Sequence, residues 1–174
     1  SEWELSARGK GFFLMGTERI IKDSGISLKE SAVFESGSPE ETRAIASGFA
    51  ATLKSGDVVL LAGDLGSGKT EFTRGIVSCF GSESDVSSPS YKLINRYDGT
   101  PTVYHMDFYR IKESGEIFDI GIEELFAEKA VFIVEWPETG LEFFKNFYLV
   151  RIKSLSGDNR EIRIFESGTA EISE

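Results

Sequence analysis

The segment between residues 63 and 70 has the residue types and spacing of a phosphate-binding loop. Its sequence, GDLGSGKT, matches the P-loop pattern of a glycine, four residues and Gly-Lys-Ser/Thr. In such a loop the backbone N–H groups point at phosphate oxygens, the lysine reaches the β and γ phosphates, and the hydroxyl binds Mg²⁺. Lys69 and Thr70 are therefore predicted to hold a nucleotide and its metal ion. The alternative is a glycine-rich turn that binds no nucleotide, which the flanking strand and helix signals disfavour.

Two carboxylates at predicted strand ends are candidates for the metal and the chemistry. Glu135 follows the apolar run at residues 130–134. Because the carboxyl ends of parallel strands meet at one edge of a sheet, we expect Glu135 to face Thr70 across the metal. The alternative for Glu135 is an ordinary strand-end carboxylate at the surface. Asp107 is the other acidic candidate, whereas His105 has no second histidine for a metal pair and is interpreted as a strand residue.

The elements that must position this loop follow from local signals. A capping serine, a proline and a glutamate predict a helix over residues 39–55. The near-continuous apolar run at residues 57–62 indicates a central parallel strand buried on both faces. Apolar residues four apart predict a helix over residues 69–80. The loop is thus expected between a buried strand and a helix.

The remaining pattern adds further strands to the same sheet. We expect a hairpin of residues 91–97 and 102–108, a helix over 116–128 broken near Gly121, a buried strand at 130–135, and a closing hairpin of 148–154 and 160–166. Buried strands joined through helices predict an α/β fold. The expected architecture is a P-loop NTPase-like three-layer sandwich, with a mainly parallel sheet and antiparallel additions.

Composition narrows the classes of function. The 174 residues include 19 basic and 29 acidic side chains, which gives a formal charge of −10. Because phosphate backbones attract basic proteins, a chain this acidic is a poor candidate for holding RNA alone. The single cysteine, Cys79, excludes an internal disulfide framework and a multi-cysteine zinc site. No apolar run approaches the roughly 18 residues of a membrane span, so we expect a cytoplasmic protein without membrane association.

Residues 1–32 are expected to form an N-terminal extension, because they show neither sustained helical nor sustained strand periodicity. Residues 33–174 are expected to form a single P-loop domain. Acidic and basic side chains balance in the extension, so the excess negative charge belongs to the domain.

Several segments together resemble one family. The P-loop alone occurs in many families, but the combination of YHMDFYR and VEWP is specific. The chain resembles the TsaE family, formerly YjeE, over roughly residues 33–165. The segments occur in the family's order: PEET from residue 39, GDLGSGKT from 63, SPSY from 88, YHMDFYR from 104, DIG from 119 and VEWP from 134.

The resemblance implies an activity, cofactors and partners. TsaE proteins are bacterial P-loop ATPases required for the N6-threonylcarbamoyladenosine modification of tRNA, and they act on a complex of TsaD and TsaB. ATP and Mg²⁺ are the implied cofactors, with Thr70 and Glu135 as metal ligands and Asp107 needed for hydrolysis alongside Lys69. The protein is not expected to bind tRNA tightly by itself. The residues implied at the nucleotide are Leu65, Gly66, Ser67, Gly68, Lys69, Thr70, Glu71, Thr42, Trp136 and Arg160.

The sequence departs from the family pattern at Glu71, where a threonine is usual. An inward-pointing carboxylate would repel the phosphates, whereas an outward-pointing one would merely favour the helix dipole. Ser90 replaces a usual threonine but keeps the hydroxyl, and Arg96 stands where an acidic residue is common. The segment at residues 87–97 resembles a switch loop.

Two other functions remain open from the sequence. A P-loop kinase acting on a small metabolite normally has an arginine-rich lid over the phosphates, and no such lid stands out here. A nucleotide-binding module with little hydrolysis of its own is the other alternative, and Glu71 favours it.

Overall fold

The computed structural model describes residues 12–169 and the side chains of residues 17–168. The helices are α1 (Phe12–Asp23), α2 (Pro39–Ala50), α3 (Lys69–Cys79), α4 (Ser114–Asp119) and α5 (Ile122–Phe126), with a 3₁₀ segment at Pro137–Phe143. The strands are β1 (Ile26–Ser36), β2 (Val58–Ala62), β3 (Ile94–Tyr97), β4 (Thr102–Asp107), β5 (Ala130–Glu135), β6 (Tyr148–Ser154) and β7 (Arg160–Thr169). None of the described helices has the length and apolarity needed to cross a membrane.

Within residues 12–169, the strands form one seven-stranded sheet in the order β1-β7-β6-β2-β5-β4-β3. The central strands β6, β2, β5 and β4 are parallel to one another. β7 and β1 continue the sheet antiparallel on one side, and β3 does so on the other. The predicted fold, a mainly parallel α/β sheet with antiparallel additions, is confirmed.

The parallel centre is buried on both faces, as the apolar run in β2 predicts. Val59 and Leu61 point into a core with Phe72 of α3 and with residues of α2. The intervening Leu60 points to the opposite core, which includes Ile21 of α1. Burying a side chain of this size contributes about 1.5–3 kcal/mol. This packing fixes the end of β2, where the P-loop begins.

α2 begins where the capping pattern predicts but ends before the predicted residue 55. At its start, the Glu41 N–H donates a hydrogen bond of 3.1 Å to Ser38 Oγ. Near its end, the Thr52 hydroxyl donates to the carbonyl oxygen of Phe49 at 2.7 Å, and turns follow. The N–H groups of Thr52 and Leu53 donate to carbonyls three residues back, not four, so the α-helical ladder ends here.

The described part of the expected N-terminal extension, residues 12–32, contains a helix and the first part of a strand. α1 and β1 both begin in this segment, and β1 crosses the expected boundary between extension and domain. β1 pairs antiparallel with β7, from Ile26 opposite Thr169 to Ser36 opposite Arg160. The end of the segment, from Ile26 onward, therefore belongs to the sheet.

The sequence pattern of β1 is weak because its apolar side chains, such as Ile26 and Leu28, are only partly buried, and pairing with β7 holds the strand in place. Most of its side chains are exposed or half-buried, so no strict alternation is required. A register shift between Glu30 and Ala32 interrupts the two-residue period further. α1 is fixed by the fully buried Ile21 and by an ion pair of 2.5 Å between Glu18 and Arg151 of β6.

The second half of the chain follows the predicted order with one shortened strand. The strand expected at residues 91–97 begins late, because the N–H groups of Lys92 and Leu93 donate to the Pro89 carbonyl in a turn. Leu93 has a φ of 65° in this turn. The predicted helix break near Gly121 is present, and the φ of this glycine is 77°. It separates α4 from α5.

Candidate active site

The loop between β2 and α3 has the backbone geometry of a phosphate cradle. Gly66 and Gly68 have φ angles of 76° and 110°, in the left-handed region that favours glycine. A Cβ at Gly63 would overlap the Ser67 hydroxyl and lie 2.7 Å from the carbonyl oxygen of Ile152. The loop therefore needs glycine at these positions, and it leads into the positive end of α3.

Lys69 lies buried in the loop and donates hydrogen bonds to it. Its Nζ is 2.5 Å from the Gly63 carbonyl oxygen and 3.2 Å from that of Asp64. The same Nζ lies 4.9 Å from the centre of the Trp136 ring. The amine is thus positioned inside the loop, with acceptors that phosphate oxygens would replace.

The electrostatic surroundings of Lys69 suit a phosphate and a cation together. Burial lowers the pKa of Lys69, because desolvation disfavours the charged amine. The negative charges of Glu135 and Asp107, and those of Asp64 and Glu138, oppose this shift without cancelling it. The carboxylates around the lysine outnumber it, so a divalent cation bound beside it would offset their charge.

The two predicted acidic residues lie next to each other at the end of the sheet where the P-loop begins. Asp107 of β4 and Glu135 of β5 are register partners, and both side chains are buried. Val103 and Ile133, at even spacing on the same strands, pack in the core under α2 and α3. Strand alternation therefore puts both carboxylates on the α3 side. The alternative of an exposed surface carboxylate does not describe Glu135.

Asp107 connects the site to the switch-like segment at residues 87–97. Its Oδ1 accepts a hydrogen bond of 2.8 Å from the Tyr109 N–H. Its Oδ2 accepts one of 3.1 Å from the Ser90 hydroxyl, and the Ser88 hydroxyl lies 3.5 Å away. Ser90 thus contacts Asp107 through the hydroxyl group that serine shares with the threonine usual at this position.

Trp136 joins the site through an unusual backbone conformation. Its φ is 52°, in the left-handed region that non-glycine residues rarely adopt. This conformation turns the indole ring over the amine of Lys69 and beside the ring of Tyr109, with centroids 5.1 Å apart. Such strain persists only where the surroundings hold it, and it is common at functional sites.

The donor set at the loop fits magnesium with few protein ligands. Among the described residues, no group of three or more His, Cys, Asp or Glu side chains could hold a metal alone. Mg²⁺ usually keeps several waters and takes one or two carboxylates together with substrate phosphates. Glu135 fits that role, because its Oε1 is bonded to His105 while Oε2 has no hydrogen bond to a described residue. Thr70 supplies the hydroxyl on α3.

Glu71 points away from the loop and toward α2. Its carboxylate forms ion pairs with Arg43 of α2 and with Arg74 one turn along α3. Arg74 also donates to the carbonyl oxygen of Val86 at 2.9 Å, just before the switch-like segment. The structure therefore matches the outward alternative, and the carboxylate is paired with arginines.

Thr42 and Arg160 lie beside the loop, and a Cβ at Gly68 would be 4.0 Å from the Thr42 methyl group. The Thr42 hydroxyl is buried and lies 2.7 Å from Ser36 Oγ. The Arg160 Nε donates to the Ser67 carbonyl at 3.0 Å, and its Nη2 lies 3.5 Å from that of Gly66. Both residues thus neighbour the P-loop, and the guanidinium is engaged by the loop's own backbone.

The sequence interpretation misses His105, which the structure places inside the site. Its Nε2 lies 3.0 Å from Glu135 Oε1. The signal that would find it is the alternation of β4, since His105 and Asp107 are two residues apart and share a face. The link from Arg43 to Glu71 has no local sequence signal, because it joins two helices.

The GDLGSGKT loop joins the buried strand β2 to α3, and acidic residues end β5 and the adjacent strand β4. This arrangement defines a protein of the P-loop NTPase fold class. The particular family is given by sequence comparison. The family model for "Threonylcarbamoyl adenosine biosynthesis protein TsaE" matches residues 36–162, and the chain belongs to this family. α1 and nearly all of β1 precede the matched residues.

Individual relatives agree with this assignment. The tRNA threonylcarbamoyladenosine biosynthesis protein TsaE of Bacillus subtilis (strain 168) is 44% identical over 126 residues, which cover 71% of this chain and 78% of the relative. The protein of the same name from Treponema pallidum (strain Nichols) is 35% identical over 113 residues, covering 64% and 84%. The crystal structure of Bacillus subtilis YdiB superimposes with a TM-score of 0.69 at 36% identity, covering 82% of this chain and 88% of that one.

Proposed function

We propose that this protein binds ATP with Mg²⁺ and hydrolyses it to support a TsaD–TsaB complex in the threonylcarbamoyladenosine modification of tRNA. The observation that carries the proposal is the meeting of Lys69, Asp107 and Glu135 at the sheet edge where the P-loop begins. Family membership supports the role in tRNA modification. The charge of −10 supports action through a protein complex that itself holds the tRNA.

Lys69 is the group that changes partners when ATP binds. In the structure the carbonyl oxygens of Gly63 and Asp64 accept its hydrogen bonds. Phosphate oxygens are charged acceptors and make stronger hydrogen bonds with an ammonium group than neutral carbonyls do. The exchange places a positive charge beside the β and γ phosphates without moving the helix that carries the lysine.

Glu135 and Asp107 divide the remaining work. Glu135 would hold Mg²⁺ through its carboxylate, and the ion, when bound, would neutralise charge on the phosphate oxygens. Asp107 accepts a hydrogen bond from the attacking water and orients it in line with the γ phosphorus. The water oxygen bonds to phosphorus as the bond to the β–γ bridging oxygen breaks, which yields ADP and phosphate.

The switch-like segment links the nucleotide to a partner surface. Asp107 holds this segment through Ser90, and the neighbouring Tyr91 is 86% exposed. The Arg110 guanidinium lies 4.3 Å from the Tyr91 ring centre. A change in the contacts of Asp107 between ATP and ADP would therefore alter which surface this segment presents to the TsaD–TsaB complex.

Phosphate release with and without purified TsaD–TsaB tests the proposal. We expect slow, Mg²⁺-dependent release by the protein alone and faster release with the complex, with no release from a Lys69→Ala control. Transfer of the phosphate to a small metabolite would instead indicate a kinase. Tight ATP binding without release in either condition would indicate a nucleotide-binding module. Either of these results would contradict the proposal.

A further inference from the structure

His105 is held beside Glu135 by the geometry of the sheet. It lies opposite Ile133 in the β4–β5 register, and Asp107 lies opposite Glu135 two residues further on. His105 and Glu135 are thus diagonal neighbours on one face, with Nε2 and Oε1 separated by 3.0 Å. The His105 side chain is 0% exposed. The hydrogen bond between His105 and Glu135 is therefore shielded from solvent.

The contacts of the imidazole define which nitrogen donates. An ionised carboxylate only accepts hydrogen bonds, so the proton of the Glu135 contact belongs to Nε2 of His105. The Nδ1 atom is buried and has no hydrogen-bond partner among the described residues. The ring of Tyr97 lies alongside, with centroids 6.4 Å apart. A proton on Nδ1 would leave a buried donor unpaired, so the Nε2–H tautomer fits the site.

We propose that His105 is a positioning residue that fixes the Glu135 carboxylate for binding Mg²⁺ with ATP. The inference rests on the proposed function. The hydrogen bond from His105 to Oε1 restricts rotation of the carboxylate and so restricts where Oε2 can lie. Residues that bind a metal ligand from behind pre-organise the site, and removing them commonly weakens metal binding 10–100-fold.

A purely structural role for His105 predicts something different. A histidine that only fills space would be replaced equally well by any side chain of similar volume. A positioning residue requires a donor at the place of Nε2. His105→Leu removes the donor and keeps an apolar filling, whereas His105→Gln places an amide N–H at nearly the same reach. His105→Asn is a second variant without the hydrogen bond, because its shorter side-chain amide does not reach Glu135 Oε1.

The test is the gain in ATP affinity that Mg²⁺ produces, measured by calorimetry on the full chain with ATP alone and with ATP and MgCl₂. For His105→Leu we expect the gain to fall about tenfold or more. The metal-free affinity should stay within about twofold, and His105→Gln should recover most of the loss. If the leucine variant does not fold, His105→Asn takes its place in the comparison.

Glu135→Ala separates this inference from the proposed function. We expect it to lose the Mg²⁺ gain by itself, and His105→Leu to add no further loss in the Glu135→Ala background. An unchanged Mg²⁺ gain in Glu135→Ala would overturn the metal role of Glu135. A loss in Glu135→Ala without one in His105→Leu would overturn the positioning role alone. An equal fall of metal-free and metal-dependent affinity in His105→Leu, or no recovery in His105→Gln, would also contradict it.

Discussion

At the scale of single residues, Lys69 lies inside the P-loop, within reach of the phosphates that we propose it binds. The loop carbonyls of Gly63 and Asp64 accept its hydrogen bonds, and the Trp136 ring covers it. Its burial lowers the pKa of the amine, and phosphate charge would favour the protonated form again. Binding an anion therefore relieves an unfavourable burial.

Lys69→Ala should abolish ATP hydrolysis while leaving the fold intact. The amine supplies charge to the phosphates, and Lys69, at the start of α3, belongs to neither apolar core cluster. Phosphate release measures the activity, and circular dichroism with thermal unfolding measures the fold. Near-normal turnover in a folded variant would contradict the P-loop interpretation.

Asp107→Ala and Glu135→Ala should fail in different ways. Glu135→Ala should weaken Mg²⁺-dependent ATP binding, because it removes the carboxylate that we assign to the metal and that His105 holds through Oε1. Asp107→Ala should retain ATP binding and lose turnover, because we assign Asp107 to the attacking water and not to the metal. Its contacts in the structure are with Ser90 and the Tyr109 N–H. Nucleotide titrations with and without Mg²⁺ distinguish the two. Glu135→Gln is the matched control that keeps an acceptor for His105, and identical behaviour of the alanine variants would remove the division of roles.

The sequence predicts the acids but not the residues that hold them. Glu135 and Asp107 are accessible to prediction, because strand ends in a parallel sheet gather at one edge. The contact from His105 depends on the register between β4 and β5, which a single sequence does not define. The direction of Glu71 depends on Arg43, which a separate helix brings near.

At the scale of elements, α2 and α3 approach closely because α3 has a glycine at the crossing. A Cβ at Gly75 would overlap the carbonyl oxygen of Arg43 and lie 2.7 Å from the Ala46 Cβ. The ion pair between Arg43 and Glu71 joins the same two helices one turn away. The start of α3, which carries Lys69, is thus fixed from the side of α2.

Gly75→Ala should destabilise the protein by about 2 kcal/mol, because the added methyl group forces the helices apart. Gly48→Ala on α2 is the matched control. No heavy atom lies within 4 Å of a Cβ at Gly48, so the better helix propensity should stabilise the protein by about 0.5–1 kcal/mol. Urea unfolding followed by circular dichroism measures both changes. Equal effects of the two substitutions would contradict the close crossing.

Element boundaries show where local signals stop being sufficient. The start of α2 is predictable, because its cap is made by neighbours in sequence. Its end is not, because the chain already turns at residues 51–52, before Gly56, the glycine that would mark a helix end. β1 is not predictable from its own pattern either, since its pairing with β7 supplies what its mostly exposed side chains do not.

At the scale of the whole molecule, the acidic balance makes a prediction about tRNA. With a formal charge of −10, the free protein should bind tRNA no better than the weak non-specific range, with a Kd of about 10⁻⁴ M or higher at physiological salt. Fluorescence anisotropy with labelled tRNA measures this affinity.

Fluorescence anisotropy also measures binding to labelled TsaD–TsaB complex, with ADP or with a non-hydrolysable ATP analogue present. We expect the two nucleotides to give different affinities, because Asp107 holds the switch-like segment through Ser90. Tight tRNA binding by the free protein, together with no nucleotide effect on the complex, would overturn the partner-directed mechanism and favour an RNA-dependent ATPase.

The pairing of β1 with β7 bears on how the chain is made. Ile26 lies opposite Thr169 in the register, so the first and last strands described are partners. A ribosome releases β1 early and β7 after every other described strand, which leaves β1 without its partner during most of translation. The sheet edge therefore closes last, once β7 has emerged. A nascent chain stalled before β7 would expose β1 and the open edge of β6, the kind of surface that chaperones protect.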